Sequence, residues 1–154
     1  MRLFFYGTLL DPDVQSLVLG RVLAPIDFPS AELRHFRRVY IAGRRYPMVL
    51  PHRGGTVAGA VAERLGREDL ERLCRYEGDD YRLERHTVFV VAGGEGSPPG
   101  PVSAWLFRGR PATRPSTRDW QLAPWQARYK AGYLRDLRDW LAKIPTDVAA
   151  SRAP

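Results

Sequence analysis

Cysteine is almost absent from this sequence, with Cys74 the single example among 154 residues. One cysteine excludes an intrachain disulfide and a cysteine-based metal cluster. Histidine is scarce too, and the three histidines (His35, His52 and His86) show none of the spacings typical of a metal site on a helix. The sequence therefore predicts no metal site.

Long apolar runs are also missing, and no stretch approaches the roughly 20 residues that a membrane-spanning helix needs. The apolar N-terminal stretch is interrupted by Asp11 and Asp13. No small-residue cleavage site follows it, so we expect no signal peptide and a cytoplasmic location. The length fits one domain, which we place over residues 1–145, with 146–154 as a flexible C-terminal tail.

The net charge is strongly basic, at +7. Lysine contributes little to it, because 22 of the 24 basic residues are arginine. Such a charge is compatible with binding to nucleic acid. The arginines are scattered in short pairs, such as Arg37-Arg38 and Arg44-Arg45, rather than grouped along one segment. We therefore expect no nucleic-acid partner, and a charge that weakly steers an acidic small substrate.

Hydrophobic periodicity predicts a mixture of strands and helices. Three helices are expected: a short one between an Asp11 N-cap and Gly20, a second over 67–75, and a long one over 124–143. A first strand and the turn that ends it are expected over 3–10. Further strands are expected over 31–42, 46–51, 57–65, 81–92 and 102–108, with a turn over 52–55, a flexible hairpin loop over 93–101 and a surface connection over 109–118. This order points to an α+β fold with a curved, largely antiparallel or mixed sheet.

The first strand ends in Tyr6-Gly7-Thr8-Leu9, just before a helix start at Asp11-Pro12. Backbone N–H groups at a glycine turn beside a helix can bind an anionic group. The simpler interpretation of these four residues is an ordinary strand-to-helix turn, in which glycine supplies a positive φ. The pattern alone favours that simpler interpretation.

Glu77 is the acid/base candidate, since it lies between Tyr76 and Gly78 at the end of the second predicted helix. Most glutamates at helix ends are simply solvated. Asp79, Asp80 and Glu84 follow closely, and a cluster of acids can separate pKa values and leave one carboxyl titrating near neutrality. Spacing alone does not rank these acids.

Two other features are best explained by packing. We expect Cys74 to be a buried apolar residue, because no cysteine–histidine pair accompanies it. The aromatic stripe on the last helix is typical of a core-facing surface. Its members are Trp125, Tyr129, Tyr133, Leu137, Trp140, Leu141 and Ile144.

Taken together, the motifs resemble a known family. Phe4-Phe5-Tyr6-Gly7-Thr8-Leu9 resembles the signature of the γ-glutamylcyclotransferase-like superfamily, specifically its avirulence-induced-gene-like branch. The resemblance extends over roughly residues 1–143. Its further features, in order, are Tyr46-Pro47, Val57-Ala58-Gly59, a helix with Leu70 and Leu73 leading into Tyr76-Glu77-Gly78, Tyr81-Arg82 before Val88-Phe89-Val90, and a late aromatic helix beginning near Trp120.

The resemblance implies a small mixed β-barrel with flanking helices and a cavity at its mouth. It also implies release of 5-oxoproline from a γ-glutamyl amino acid or amine, by attack of the α-amino group on the γ-carbonyl. The family's catalytic glutamate corresponds to Glu77, and its substrate-binding turn to Tyr6, Gly7, Thr8 and Leu9. No metal or cofactor is required for this chemistry.

Two residues depart from the family pattern. Cys74 stands where many relatives have aspartate, and His35 where relatives often have a small residue. The leaving group stays open, because we expect the pocket rim to come from variable loops such as 44–55 and 108–120. A non-catalytic small-molecule-binding module on the same fold is the alternative function, and the oligomeric state is not predicted.

Overall fold

The computed structural model describes residues 1–92 and 98–144. Short 3₁₀ turns lie at Thr8–Leu10, Pro25–Asp27 and Gly78–Asp80. The strands and α-helices, in chain order, are β1 (Leu3–Phe5), α1 (Pro12–Leu19), β2 (Ser30–Ile41), β3 (Pro47–Ala62), α2 (Arg67–Glu77), β4 (Tyr81–Ala92), β5 (Gly100–Gly109), β6 (Pro115–Asp119), α3 (Leu122–Arg128) and α4 (Lys130–Lys143).

The strands form a closed barrel. Their order is β3-β1-β5-β4-β2-β6, and the additional pairing of β2 with β3 closes the first five strands, while β6 extends from β2. The neighbouring strands are antiparallel except for β1 and β5, which run parallel. The expected α+β fold, a small mixed β-barrel with flanking helices, is confirmed.

The barrel wall separates two apolar clusters. Phe4 and Tyr6 belong to a cluster built from strand residues, whereas Leu3 and Phe5 pack with residues of the helices. Successive side chains of a strand point to opposite faces. The first strand is therefore apolar at every position because both of its faces are buried.

The start of α1 forms as its sequence predicts. The Asp11 carboxylate accepts hydrogen bonds from the N–H groups of Asp13 at 2.9 Å and Val14 at 3.3 Å. Gly20 ends the helix with a left-handed φ of 75°. The second carboxylate oxygen of Asp11 accepts from Gln126 at 2.7 Å and lies 2.8 Å from the Lys130 ammonium, so one buried side chain joins α1 to α3 and α4.

One long strand, β3, replaces three segments that the sequence predicts separately: a strand over 46–51, a turn over 52–55 and a strand over 57–65. The register between β2 and β3 shifts between Arg34 and Phe36, where residues 52–55 bulge out. His35 and Gly54 take left-handed φ values of 64° and 79° at this bulge. The predicted turn over 52–55 is wrong, because the chain continues as a strand of the same sheet after the bulge.

The backbones of β1 and β3 approach each other closely at Gly59. A Cβ at this position would collide with the Phe5 carbonyl oxygen and the Phe4 ring. Only glycine therefore allows β3 to pack this closely against β1.

The C-terminal half differs from the prediction in two places. Strand β6 overlaps the end of the segment predicted as a surface connection over 109–118, so β5 is not the last strand. The long helix predicted over 124–143 is interrupted at Tyr129 (φ −121°, ψ −21°), which divides it into α3 and α4. Trp140, expected in the core-facing stripe, is 40% exposed.

The prediction for Cys74 is wrong, because this residue is exposed. Its neighbour Leu73 is fully buried, and one step along a helix turns a side chain about 100° away. Residues 93–97 of the predicted loop and the predicted tail over 146–154 lie outside the described residues.

Candidate functional site

A cavity of about 110 Å³ lies beside the end of β1 and brings the predicted site residues together. Tyr6, Gly7, Thr8, Leu9 and Glu77 all line it. The rest of its wall comes from Phe4, Phe5, Tyr46, Pro47, Tyr76, Tyr81, Phe107 and Tyr133. We refer to this space as the site cavity.

Glycine suits the turn for a reason other than the predicted one. Gly7 has φ −124° and not a positive φ. A Cβ at Gly7 would lie 3.0 Å from Pro47 Cγ and 3.3 Å from Pro47 Cδ, tighter than ordinary side-chain packing. The absence of a side chain therefore lets β3 lie against the turn and leaves the Gly7 backbone at the cavity wall.

The turn presents three consecutive N–H groups, those of Gly7, Thr8 and Leu9, which we call the turn amides. The next two N–H groups close the 3₁₀ turn, with Leu10 donating to the Gly7 carbonyl at 2.9 Å and Asp11 to that of Thr8 at 3.0 Å. The turn amides have no hydrogen-bond acceptor among residues 1–92 and 98–144. All three residues line the site cavity, so these N–H groups are available to a ligand. Successive N–H groups of this kind favour an anion.

A chain of three hydroxyl groups crosses the wall of the site cavity. Thr8 Oγ1 lies 2.7 Å from the Tyr76 hydroxyl, which lies 2.6 Å from the Tyr133 hydroxyl. Burial raises the pKa of Tyr76 well above its usual value, and burial also raises that of Tyr133. Both phenols therefore stay neutral near pH 7 and act as hydrogen-bond donors and acceptors.

Two further tyrosines hold the surrounding backbone. Tyr81 donates to the Pro47 carbonyl at 2.6 Å, and Tyr6 donates to the Phe107 carbonyl. These bonds connect β1, β3, β4 and β5 around the cavity. Its polar groups are thus fixed by contacts that belong to the barrel.

Glu77 is the last residue of α2 and is partly buried in a largely aromatic wall. Its carboxylate has no hydrogen-bond or ion-pair partner in the part of the chain that the structure describes. Burial raises its pKa from 4.5 to about 8, because ionisation is unfavourable away from water. Its position at a helix C-terminus acts in the same direction.

The neighbouring acids do not cause this shift, contrary to the sequence-based hypothesis of an acid cluster. Asp80 accepts a hydrogen bond from Tyr46 at 3.2 Å. Glu84 is paired with Arg82, His86 and Arg108. Glu77 is therefore distinguished from the other acids by burial without a partner.

A second, larger cavity of about 560 Å³ adjoins the first and shares Tyr46, Tyr76 and Tyr133 with it. We call it the vestibule. Its other residues are Gly43, Arg44, Arg45, Asp136, Leu137 and Trp140. Arg44 and Arg45 of the segment 44–55 line the vestibule as expected, whereas no residue of the segment 108–120 lines either cavity. The opposite wall is formed by α4, which the sequence did not predict.

The family of this chain follows from comparison with known proteins. The family model described as "Gamma-glutamyl cyclotransferase, AIG2-like" matches residues 3–127. The chain belongs to this family. The AIG2-like assignment thus agrees with the resemblance carried by the motifs around Gly7 and Glu77.

Among curated relatives, AIG2-like protein A of Arabidopsis thaliana is 38% identical over 90 residues, which are 58% of this chain and 52% of the relative. The chain spans about half the length of AIG2-like proteins A, B and C. AIG2-like protein D, from the same plant, is 25% identical over 141 residues, or 92% of this chain and 89% of the relative.

Solved structures support the same fold. The solution structure of an Arabidopsis thaliana protein has a TM-score of 0.63 at 24% identity, covering 94% of this chain and 93% of that one. A structure named "Gamma-glutamyl cyclotransferase" has a TM-score of 0.57 at 14% identity, covering 99% and 93%. At these identities the likeness shows the fold alone.

In the described ranges of this AIG2-like chain, every helix is too short or too polar to cross a membrane.

Two residues that contact the candidate site, Tyr133 and Arg38, are not predicted from the sequence. The helical spacing of Tyr133 predicts a core residue, although a tyrosine hydroxyl inside a protein usually needs a hydrogen-bond partner. Arg38 donates to the Tyr6 carbonyl directly before the turn. In the sequence, Arg38 is one of many scattered arginines and gives no signal of this contact.

The raised pKa of Glu77 makes the stability of this AIG2-like protein depend on pH. Between about pH 4.5 and 8 the folded state keeps a proton that the unfolded chain has released, so stability falls as pH rises through this range. Glu77→Gln removes the effect. We expect the stability of the variant relative to wild type to increase by about 2–4 kcal/mol from pH 4.5 to 8, measured by urea unfolding. If the stability difference between Glu77→Gln and wild type stayed constant from pH 4.5 to 8, it would contradict the raised pKa of the Glu77 carboxyl.

Proposed function

We propose that this protein is a γ-glutamyl cyclotransferase-type enzyme that releases 5-oxoproline from a γ-glutamyl amino acid or amine. The observation that carries the proposal is an unpartnered carboxyl group, Glu77, sharing a small cavity with the three unpartnered turn amides. A proton carrier and a set of anion-binding donors are the two elements that an acyl-transfer site needs.

The reaction balances with these groups. The α-amino nitrogen of the substrate forms a bond to its own γ-carbonyl carbon, and the bond between that carbon and the leaving nitrogen breaks. The ionised form of Glu77 accepts the proton lost by the attacking amine, and the carboxylic acid so formed donates that proton to the leaving nitrogen. The carboxyl returns to its starting state, so one residue serves as base and then as acid.

The pKa of Glu77 suits this proton transfer. Burial raises the pKa of Glu77 to about 8, which brings it closer to the pKa of an amine than the value of about 4.3 of an ordinary glutamate. A smaller difference between the two pKa values lowers the free energy needed to move a proton from an ammonium group to the carboxylate. A glutamate with an ordinary pKa would be a much weaker base toward an ammonium group.

The turn amides of Gly7, Thr8 and Leu9 supply the anion-binding part of the site. In our proposal they bind the substrate carboxylate or the oxyanion that develops on the γ-carbonyl. The narrow, aromatic cavity holds the flexible glutamyl chain folded, and such proximity can supply several kcal/mol of the barrier reduction. No metal or cofactor takes part in these steps.

The vestibule is the proposed location of the leaving group, since it adjoins the cavity that holds the glutamyl part. It exposes Arg44 and Asp136 on opposite walls together with the indole of Trp140. These groups suit a leaving group that is an amino acid, an amine or a lysine side chain. Donors of the three classes therefore need to be compared directly.

Thr8→Val tests how much of the binding comes from backbone groups. The change keeps the side-chain shape but removes the hydroxyl that contacts Tyr76, so kcat/KM for 5-oxoproline release should fall by less than about tenfold. Thr87→Val on the exposed face of β4 is the matched control and should be neutral. A loss of 100-fold or more would mean that the Thr8 hydroxyl itself contacts the reacting atoms.

The proposed activity is tested by incubating the protein with γ-glutamyl amino acids, γ-glutamyl amines and Nε-γ-glutamyl-lysine, and measuring 5-oxoproline. We expect product from at least one donor. Binding of a donor in calorimetry without any product would contradict turnover and favour the alternative of a non-catalytic binding module.

A further inference from the structure

Arg38 on β2 makes hydrogen bonds to the backbone of three separate segments. One guanidinium nitrogen, Nη1, donates to the Tyr6 carbonyl at 2.6 Å and to the Ala58 carbonyl at 3.1 Å. Nε donates to the Trp120 carbonyl at 3.0 Å, and the guanidinium lies 4.9 Å from the centre of the Trp120 ring. The side chain thus joins the end of β1 to β3 and to the segment before α3.

This cation has no carboxylate partner among the described residues. Burial lowers the pKa of Arg38 to about 10, which still leaves the group charged near pH 7. The side chain is partly buried, and a partly buried charge balanced only by carbonyl dipoles is costly to maintain. By contrast, the adjacent Arg37 forms an exposed ion pair with Asp119 at 3.0 Å.

The contact with Tyr6 has a consequence for the turn. The described peptide bonds are all trans, so the C=O and N–H of the Tyr6–Gly7 peptide point in opposite directions. Because the carbonyl points to Arg38, the Gly7 N–H points away from it. Gly7 lines the site cavity, and its N–H is one of the unpartnered turn amides. A charged hydrogen bond at the carbonyl of a peptide polarises that peptide and strengthens its N–H as a donor.

We propose that Arg38 is a positioning residue, which fixes and polarises the Tyr6–Gly7 peptide so that the Gly7 N–H binds an anionic oxygen of the ligand. This inference rests on the proposed function for the identity of that ligand. The role differs from a purely structural one, in which Arg38 would hold β1, β3 and the segment before α3 together without affecting the chemistry.

The test compares Arg38→Met and Arg38→Lys with Arg37→Met, which removes the same charge from the neighbouring position. Lysine keeps the charge but cannot reproduce the geometry of the arginine fork. The readouts are kcat, KM, and the ¹⁵N and ¹H shifts of the Gly7 amide in each folded protein, alone and titrated with 5-oxoproline. If Arg38→Met does not fold, Arg38→Lys carries the comparison.

We expect Arg38→Met to lower kcat/KM by at least about tenfold, with a smaller loss in Arg38→Lys and little change in Arg37→Met. A fall in kcat would indicate that the Gly7 N–H binds the developing oxyanion, and a rise in KM would indicate the substrate carboxylate. In the wild type, 5-oxoproline should shift the Gly7 amide, and this response should weaken in both Arg38 variants.

Two results would overturn the proposal. One is a folded Arg38 variant that has a lower melting temperature but unchanged kcat and KM, which would show that Arg38 stabilises the fold without affecting the chemistry. The other is a Gly7 amide shift that is the same in the free wild-type, Arg38→Lys and Arg37→Met proteins. That second comparison needs no turnover, so it separates failure of this proposal from failure of the proposed function.

Discussion

Glu77→Gln is expected to lower kcat/KM for 5-oxoproline release by about 10²–10⁴-fold, while the protein keeps its fold. Glutamine has nearly the shape of glutamate but can neither accept nor donate the proton that the reaction moves. The cavity wall around it is unchanged, because the carboxylate makes no hydrogen bond or ion pair with the described residues. Steady-state kinetics with an active donor provide the measurement.

Asp79→Asn is the matched control, because Asp79 is an exposed acid two residues from Glu77 and should leave the rate within about twofold. The Glu77→Gln protein should also unfold at a temperature equal to or above that of wild type at pH 8. Turnover that is unchanged in a folded Glu77→Gln protein would exclude Glu77 as the general acid/base.

Asp11→Ala should destabilise the protein by about 3–5 kcal/mol, the range observed when one partner of a buried ion pair is removed. Asp11 is fully buried, caps α1 and binds Gln126 and Lys130. The substitution removes these contacts, and among the described residues the ammonium of Lys130 keeps the exposed Asp13 as its one carboxylate partner. Urea unfolding at pH 7 measures the loss.

Asp13→Ala is the control for this prediction. It removes the exposed partner of Lys130 and should cost no more than about 1 kcal/mol. Burial would raise the pKa of Asp11, but the hydrogen bonds from Lys130, Gln126 and the N–H groups of Val14 and Asp13 outweigh it and lower the pKa below 3.8. The stabilisation is therefore complete above about pH 4 and is lost as the pH falls through the lowered value. Equal losses in Asp11→Ala and Asp13→Ala would contradict the buried network.

Features that depend on neighbouring residues could be predicted from the sequence. Asp11, Pro12 and Gly20 define α1 because caps act within one helical turn. Strand β4 begins at Tyr81 and ends at Ala92, as its periodicity predicts. The site residues Gly7 and Glu77 were identified through the family resemblance, since four-residue patterns are too common to be specific alone.

Features that depend on distant contacts could not be predicted. The bulge in β3 is fixed by the pairing of β3 with β2. Strand β6 has a polar sequence, and it forms a strand because it pairs with the end of β2. The pKa of Glu77 depends on the residues that bury it, and not on the acids beside it in sequence. Tyr133 reaches Tyr76 across 57 positions in the chain, so its hydroxyl partner is not visible in a helical pattern.

The most direct test of the proposed chemistry follows the atoms of one γ-glutamyl donor, labelled with ¹⁵N at the α-amino group and incubated with the wild-type protein in H₂¹⁸O. Intramolecular attack predicts 5-oxoproline that carries ¹⁵N in its ring and no ¹⁸O, together with an unlabelled leaving amine. Glutamate that carries ¹⁸O would show hydrolysis by water and contradict cyclisation at this site. No product from any donor of the three classes would contradict catalysis itself.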